Sequence, residues 1–433
     1  MIKSVQLLRF SLGLMLLVAV EILMPGCGSN ATPRSEMAIT TKSDDARSVF
    51  ITARELFENI RFDEARGQFE RAIEKDPEFA LAHLYRAFTA TSATDFQTHL
   101  QHAVQLAPNI TEGERLLIQS VQANADNNAV LAVELGEKLE QRFPEDKRVH
   151  QFLGNAYTGQ NNYNKAIAQF QKAVEIDKDY APAYNSLGYA YMNSGQFQEA
   201  ERAFKHYIQL IPEEGNPHDS LADLYTKMGN HEAAIEHYEK ALSLNPKFAF
   251  SQRKIGTNLV FMGNYEDGRK AYLTALDMEV TPTARITDMN QVAYSYLYQS
   301  DPQEALRHFD KSIVMAADAS LPERVAGIHV QKCNVNIEVG DLKAAEKSLA
   351  QCRRAVATSN LSPSLKDNFE KTALFQEALI AAKGQDFERA MSTAGRLLSK
   401  IQADNNPTEM KQYQELLGHI AYLKGDYPTA ITH

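Results

Sequence analysis

The chain of 433 residues is poor in the residues that build cross-linked or tightly turning folds. It has no tryptophan, three cysteines, 21 glycines and 15 prolines. Three cysteines exclude a disulfide framework and a multi-cysteine zinc module, and so few glycines and prolines leave little room for many tight turns, which favours helices. Acidic residues outnumber basic ones, 55 to 45, and no basic stripe is evident. We therefore expect no nucleic-acid partner.

Short motifs typical of active sites are also missing. The sequence contains no glycine-rich phosphate loop, no G-x-S-x-G turn and no H-E-x-x-H zinc pair. His99 and His102 are three residues apart on a predicted helix, a spacing that suits a metal. Because no third ligand is evident, a solvated or packing pair is the favoured interpretation. We expect no catalytic residues, no cofactor and no metal, and therefore no enzyme.

The first thirty residues have the pattern of an export signal. Basic residues precede a short apolar run over residues 10–20, and small residues follow it. Residues 23–27, LMPGC, resemble the signal of bacterial lipoproteins, although two of the five positions depart from that family's usual residues. The resemblance implies that residues 1–26 are removed and that Cys27 receives a lipid. An ordinary cleaved signal and an uncleaved anchor are the alternatives.

The residues after the signal are small and polar as far as residue 45. Such a composition cannot bury a core, so residues 27–45 are predicted to be the lipidated cysteine and a flexible tether. Gly28 follows the cysteine where Asp would suggest retention in the inner membrane. The protein is therefore expected at the cell envelope, lipid-anchored on the extracytoplasmic side, in the outer membrane if the organism is Gram-negative.

A period of 34 residues runs through the middle of the chain. Small, aromatic and large apolar residues each recur at this spacing, and internal repeats of this length indicate stacked helical units. The three series are Ala166, Ala200, Ala234 and Gly268; Phe170, Phe204, Tyr238 and Tyr272; and Leu153, Leu187, Leu221 and Ile255.

Each recurring residue type has a physical role within one unit. Leu187 lies on the inner face of a first helix, and Phe204 lies on that of a second helix. Gly188 and Ala200 are small, so the two helices can approach closely, and Gly195 is placed at the turn between them. A pair of helices cannot bury its apolar face alone, so the units are expected to stack into one continuous core.

This pattern resembles the tetratricopeptide repeat. Seven residues stand at the offsets of its consensus, namely Tyr184, Leu187, Gly188, Tyr191, Ala200, Phe204 and Pro212. The resemblance implies an all-α fold, a right-handed superhelical solenoid of helix-turn-helix hairpins. It also implies binding of proteins or peptides on the concave surface, which the first helices line.

The repeat weakens towards both ends of the chain. We predict an N-terminal array over residues 46–280, strictest over 147–280, and a degenerate C-terminal array over 281–433, where the intervals between equivalent alanines lengthen. The last repeat stops at His433, within its second helix. A truncated sequence is the expected explanation, with a frayed end or an apolar edge completed by a partner as alternatives.

The resemblance also places a peptide groove on the first helices. The residues assigned to it lie off the packing face of those helices, where amides and tyrosines can bond an extended backbone. They are Gln151, Asn155, Asn185, Tyr189, Met192, Asp219, Asp223, Arg253, Thr257, Asn290 and Tyr294. Asp219 and Asp223 suggest a basic or mixed peptide. For any single residue, a solvated helix face is the alternative.

Cys333 and Cys352 fall at small-residue positions on the two helices of one predicted hairpin. Two small core residues are the simpler interpretation, and a disulfide that joins the hairpin is the other, since an oxidising compartment would permit it.

The favoured function is a lipid-anchored scaffold or adaptor that binds proteins or peptides near a membrane. Residues 80–276 also resemble arrays fused to bacterial serine/threonine kinases or cyclases. A sensory or regulatory module is therefore one alternative, and the non-catalytic part of a longer enzyme is another. The sequence carries no signal for an oligomeric state.

Overall fold

A computed structural model describes residues 36–433 except 127 and 405–406, without the side chains at 93–94, 403–404 and 407–408. The export signal and Cys27 lie outside this part of the chain. All regular secondary structure of the described residues is helical, which confirms the predicted all-α solenoid. Among these helices, none combines the length and the apolar character needed to cross a membrane.

The first fourteen helices form seven hairpins of similar size. They are α1 (Asp44–Glu58), α2 (Phe62–Lys75), α3 (Ala80–Phe88), α4 (Ala93–Leu106), α5 (Glu112–Ala125), α6 (Ala129–Arg142), α7 (Lys147–Gly159), α8 (Tyr163–Ile176), α9 (Ala181–Asn193), α10 (Phe197–Leu210), α11 (Asn216–Lys227), α12 (His231–Leu244), α13 (Ala249–Phe261) and α14 (Tyr265–Met278). A short 3₁₀ helix, Ala107–Asn109, follows α4.

The hairpins after residue 281 have longer helices. They are α15 (Pro282–Tyr298), α16 (Pro302–Asp318), α17 (Pro322–Glu338), α18 (Leu342–Ala357), α19 (Pro363–Lys383), α20 (Phe387–Asp404), α21 (Pro407–Lys424) and α22 (Tyr427–Thr432). The helices α7 to α14 have 12 to 14 residues, whereas α15 to α21 have 16 to 21. The longer intervals of the C-terminal array are therefore largely extra helical turns.

The turn inside each regular hairpin requires a left-handed residue. Gly195, Gly229 and Gly263 stand at this position, 34 residues apart, with φ between 76° and 84°. Glycine adopts this conformation without steric cost. One repeat earlier, Asn161 takes it with φ 58°, as asparagine tolerates better than most residues. The predicted role of Gly195 is confirmed.

Close packing inside the hairpin depends on the small residues of the repeat. A Cβ atom on Gly188 would lie well inside contact distance of the Phe204 ring, and one on Gly154 would meet Phe170 in the same way. Phe204 is fully buried and shares a core with Leu221 of the next hairpin. The aromatic residue therefore joins neighbouring units, as the period predicts.

The segment before α1 differs from its sequence-based description. Residues 37–43 were expected to belong to a flexible tether, but they run along the first hairpins and are held by buried carboxylates. The backbone N–H of Met37 donates to Asp146 at 2.9 Å, and that of Thr40 donates to Glu114 at 2.7 Å. Hydrogen bonds from its backbone N–H groups hold this segment in place, a tertiary effect that composition does not report.

Candidate functional site

The N-terminal hairpins curl around a cavity of about 560 Å³. Its wall combines the first helices α1, α3, α5, α7 and α9 with the starts of some second helices. Its apolar part is largely aromatic, and its opening carries amide and hydroxyl groups. The aromatic members are Phe57, Phe62, Tyr85, Phe88, Phe96, Phe152 and Tyr180.

Tyr85 lies at the centre of the aromatic part. Its ring packs edge-on against Phe57 at 5.5 Å, Phe88 at 5.6 Å and Phe152 at 6.3 Å between ring centroids. Edge-to-face pairs at these distances are favourable beyond their buried area. Desolvation raises the pKa of Tyr85 far above its ordinary value, so the phenol stays neutral. The cavity therefore offers a fixed apolar surface built from α1, α3 and α7.

An ion pair crosses the inner side of the N-terminal hairpins. Arg148 at the start of α7 lies 3.2 Å from Glu58 at the end of α1, measured from Nε to Oε1. Both side chains are mostly buried, where a hydrogen-bonded pair is costly to break. This contact joins residues 90 positions apart and brings α1 opposite α7.

Gln151 contributes an unusual polar group to the opening. Its Nε2 donates to Ser186 Oγ at 2.7 Å, which orients the amide. Its Oε1 is buried and has no hydrogen-bond partner among the described residues. Buried acceptors are almost always satisfied in native proteins, so this oxygen departs from the usual pattern at the wall of the cavity.

The predicted groove residues divide into two groups. Gln151, Asn155 and Asn185 line the cavity. The others lie farther along the array, where contacts between successive first helices occupy many of them. Tyr189 OH, for example, donates to Asp223 Oδ2 at 3.1 Å. Asn185 of the first group is also engaged, because its Oδ1 accepts from Ser220 Oγ at 2.9 Å.

The charged residues of the predicted groove are compensated within the wall. Asp223 pairs with Lys254, and Arg253 pairs with Asp288 and with Glu279. Because these charges are already paired, they present no acidic face, and the inference of a basic or mixed peptide loses its support.

Asp219 is also compensated within the wall, by a hydrogen bond and by a raised pKa instead of an ion pair. Ser251 Oγ donates to its Oδ1 at 2.6 Å. Burial, and then the nearby Asp223, raise the pKa of Asp219 to about 7. The carboxyl is thus a structural element of the wall, 3% exposed.

Four predicted residues remain. Met192 is buried in the core beside Phe204, and Thr257 Oγ1 accepts from Tyr272 OH at 3.2 Å. Tyr294 packs edge-on against Phe309 at 5.3 Å. Asn290 Oδ1, like Gln151 Oε1, is buried without a partner in the described part of the chain.

The aromatic residues of the cavity were missed by sequence reasoning. Phe57, Tyr85 and Phe88 lie on first helices of the degenerate hairpins, where the strict 34-residue period does not extend. Phe152 lies on α7 beside Leu153 and is not one of the recurring residues. The local excess of aromatic residues between 50 and 96 was the available signal. Their convergence depends on the curl, which no local pattern encodes.

Cys333 and Cys352 lie on α17 and α18 as predicted, as free and buried thiols. Burial raises the pKa of Cys333 to about 12 and that of Cys352 to about 11. Neutral thiols in an apolar core are unreactive. The structure thus presents them as small core residues, and a disulfide between them stays a prediction.

Models of the tetratricopeptide repeat match four segments, residues 52–90, 154–195, 181–214 and 220–248. The first contains part of the aromatic cavity, and the others cover α8 to α12 with their immediate neighbours. Recognisable repeats therefore occur on both sides of the cavity.

Among known proteins, the chain is similar to stress-induced-phosphoprotein 1 of Caenorhabditis elegans, with 28% identity over 34% of this chain and 48% of that protein. The chain thus spans about half the length of this curated relative. It is also similar to the crystal structure of MamA, with 26% identity, 39% and 95% of the two chains covered and a TM-score of 0.33. A third similar structure is that of a tetratricopeptide repeat protein from Parabacteroides merdae ATCC 43184. The two chains are 13% identical, 60% of this chain and 98% of that chain are covered, and the TM-score is 0.43.

Proposed function

We propose that this chain, with its tetratricopeptide repeats, acts as a scaffold that binds other proteins through a peptide segment seated in the N-terminal aromatic cavity. The unpaired Gln151 Oε1 carries the proposal, because it is a buried acceptor beside an apolar cavity. A peptide N–H would satisfy it.

The shape and chemistry of the wall define the ligand. An extended segment would place one aromatic or aliphatic side chain against Tyr85, Phe88 and Phe152, where burial of apolar surface contributes about 25 cal/mol per Å². Its backbone would run along the amides of α7 and α9. Arg148 is already paired with Glu58, so a charged anchor finds no partner there.

A peptide-display screen against the immobilised full chain tests this directly. Enriched peptides are then measured by fluorescence anisotropy with wild-type protein and with Gln151→Ala. We expect an apolar anchor residue in the peptides and a loss of affinity of about tenfold for the variant, which corresponds to one hydrogen bond of about 1.4 kcal/mol.

Asn290→Ala is the matched control. Asn290 also has a buried, unpaired oxygen, but on α15, away from the cavity. The Asn290→Ala variant should bind the same peptides with the affinity of wild type. If Gln151→Ala leaves the affinity unchanged while Asn290→Ala lowers it, the site lies in the C-terminal part of the groove and the proposal is wrong.

We further propose that Cys27 carries a lipid that holds the scaffold at the cell envelope, on the extracytoplasmic side. The proposal rests on the LMPGC sequence at residues 23–27. Two or three acyl chains would anchor the protein almost permanently, since each buried methylene contributes about 0.8 kcal/mol. Mass spectrometry of the N-terminal peptide from membranes should find an acylated Cys27, and Cys27→Ser should release the protein. An unmodified cysteine at the mature N-terminus would contradict lipidation.

A further inference from the structure

The hairpin of α3 and α4 brings three histidines together. His99 and His102 lie on α4, and His83, 6% exposed, approaches them from α3. One ring nitrogen of each lies within 4.8 Å of those of the other two. The third ligand that the sequence alone did not reveal is thus supplied by the neighbouring helix.

The distance between two of these nitrogens fits shared coordination. His83 Nδ1 and His99 Nδ1 are 3.2 Å apart. Two ligands on one tetrahedral zinc ion, each at about 2.0–2.1 Å, are separated by roughly 3.3 Å. His102 is exposed, so its side chain is free of the tight packing that would prevent a small rotation towards the same point.

The surroundings orient two of the rings for this role. His83 Nε2 donates to the backbone carbonyl of Pro77 at 3.1 Å, which leaves Nδ1 without a proton and with its lone pair towards His99. Metal-bound histidines almost always donate their other ring N–H in this way. On His99, Nε2 lies 3.7 Å from the Asp95 carboxylate, which is longer than a hydrogen bond but leaves an acceptor on that side of the ring.

Burial favours the neutral form of two of the three rings. Burial lowers the pKa of His83 and of His99 below the ordinary value. Neutral imidazole is the form that binds metals. The nearest cation, Arg86, is paired with Asp95 and with Glu70, each at 2.9 Å.

We propose that His83, His99 and His102 bind a zinc-type divalent transition metal ion through three imidazole nitrogens. The fourth position faces solvent beside His102 and would hold water or an external ligand. The bound ion would join α3, the shortest of these first helices with nine residues, to α4. The same two helices supply Tyr85, Phe88 and Phe96 to the cavity, so the metal would stiffen one wall of it.

Two related sites in the described part of the chain have fewer than three histidines. His150 also bonds a proline carbonyl, that of Pro144 at 2.8 Å, but its other nitrogen meets Gln169 at 2.7 Å. His218 faces His237 with 3.0 Å between the two Nδ1 atoms. The His218–His237 pair therefore has the local geometry without the complete ligand set, which makes it a matched control.

Calorimetric titration of the chelator-treated full chain with Zn²⁺ tests the site. We expect one tight ion per chain, and Co²⁺ should give the visible spectrum of tetrahedral coordination. His102→Ala changes an exposed residue and should not disturb folding. It should weaken binding by at least about tenfold, since losing even an outer-shell partner costs 10–100-fold. The triple change His83→Gln, His99→Gln and His102→Gln should remove the tight site.

The control variant, His218→Gln with His237→Gln, should keep the wild-type affinity and stoichiometry. If His102→Ala and the triple variant both bind Zn²⁺ as the wild type does, or if the control variant loses the tight site, the proposed site is overturned. Peptide binding is measured separately, so neither outcome depends on the proposed function.

Discussion

Two regions of the array use their inner surfaces differently. In the strict repeats, α7 to α14, successive first helices bind one another through polar side chains, as Asp219 does with Ser251 and Asp223 with Lys254. In the degenerate hairpins, α1 to α6, the inner surface is aromatic and faces a cavity. Because the spacing is regular, the polar side chains of each unit can bond to those of the next unit. Where the spacing breaks, aromatic side chains remain available to a ligand.

The largest expected difference between the two regions concerns their aromatic residues. Phe204→Ala removes a fully buried ring between two hairpins, and should lower the free energy of unfolding by about 3–5 kcal/mol. Phe88 is half-buried at the cavity. Phe88→Ala should lower the free energy of unfolding by only about 1–2 kcal/mol, because part of the ring is already exposed in the cavity. Urea denaturation followed by circular dichroism measures both; equal losses would remove the distinction.

A second contrast lies in the pH dependence of stability. The pKa of Asp219 is raised from 3.8 to about 7 by burial, with Asp223 opposing ionisation and Ser251 and Lys254 favouring it. Between these two pKa values the native state holds a proton that the unfolded state has lost, so stability falls as pH rises. Asp219→Asn removes this dependence and keeps an acceptor for Ser251.

Between pH 4 and pH 8, the free energy of unfolding of Asp219→Asn should therefore rise relative to that of wild type, by on the order of 3 kcal/mol. Thermal unfolding of both proteins across this pH range shows whether the difference in stability has the expected sign. A wild-type advantage that grows with pH would show that Asp219 is stabilised as a carboxylate, contrary to its buried position.

The hairpins could be predicted because their causes are local. Leu187, Gly188, Gly195 and Phe204 act within one unit or between neighbours, so a 34-residue period reports them. The cavity depends on α1 meeting α7, through Glu58 and Arg148, which no period encodes. His83 joins His99 and His102 for the same reason, since only the packing of α3 on α4 brings them together.

Which of the predicted groove residues are open to a ligand also depends on stacking. A residue off the packing face of one hairpin can still contact the next hairpin, as Asn185 does with Ser220. Helical periodicity assigns faces within a unit, and the stacking of units decides which of those faces remain open.

Paired glycine changes test how far close packing extends. Gly188→Ala in α9 forces a Cβ into the Phe204 ring and should cost about 1–3 kcal/mol through overpacking. Gly67 in α2 has open space around the same atom, so Gly67→Ala should stabilise by about 0.5–1 kcal/mol through helix propensity. Opposite signs in urea denaturation are the expected result, and a destabilised Gly67→Ala would contradict the open packing.

Asp76 offers the counterpart of Asp219 in the N-terminal region. Burial favours its neutral form, but hydrogen bonds from Thr41 and from the backbone of Lys42 and Glu78 outweigh it and lower the pKa below 3.8. The carboxylate therefore stabilises the fold above pH 4, and this contribution is lost as pH falls through the folded pKa. Asp76→Asn should lose about 1–2 kcal/mol at pH 7 and less at pH 2. A constant loss at both pH values would place the effect in packing instead.

The smallest effect is expected in the C-terminal array, where Cys352 is fully buried in α18. Because the structure holds it as a free thiol, Cys352→Ala removes one sulfur atom and should cost about 1 kcal/mol. A disulfide with Cys333 would instead make the loss about 2–4 kcal/mol under oxidising conditions, since the cross-link restricts the unfolded chain. Comparing the variant with wild type in the presence and absence of a reductant separates the two. Thiol titration of unfolded protein then counts two free groups or none at these positions.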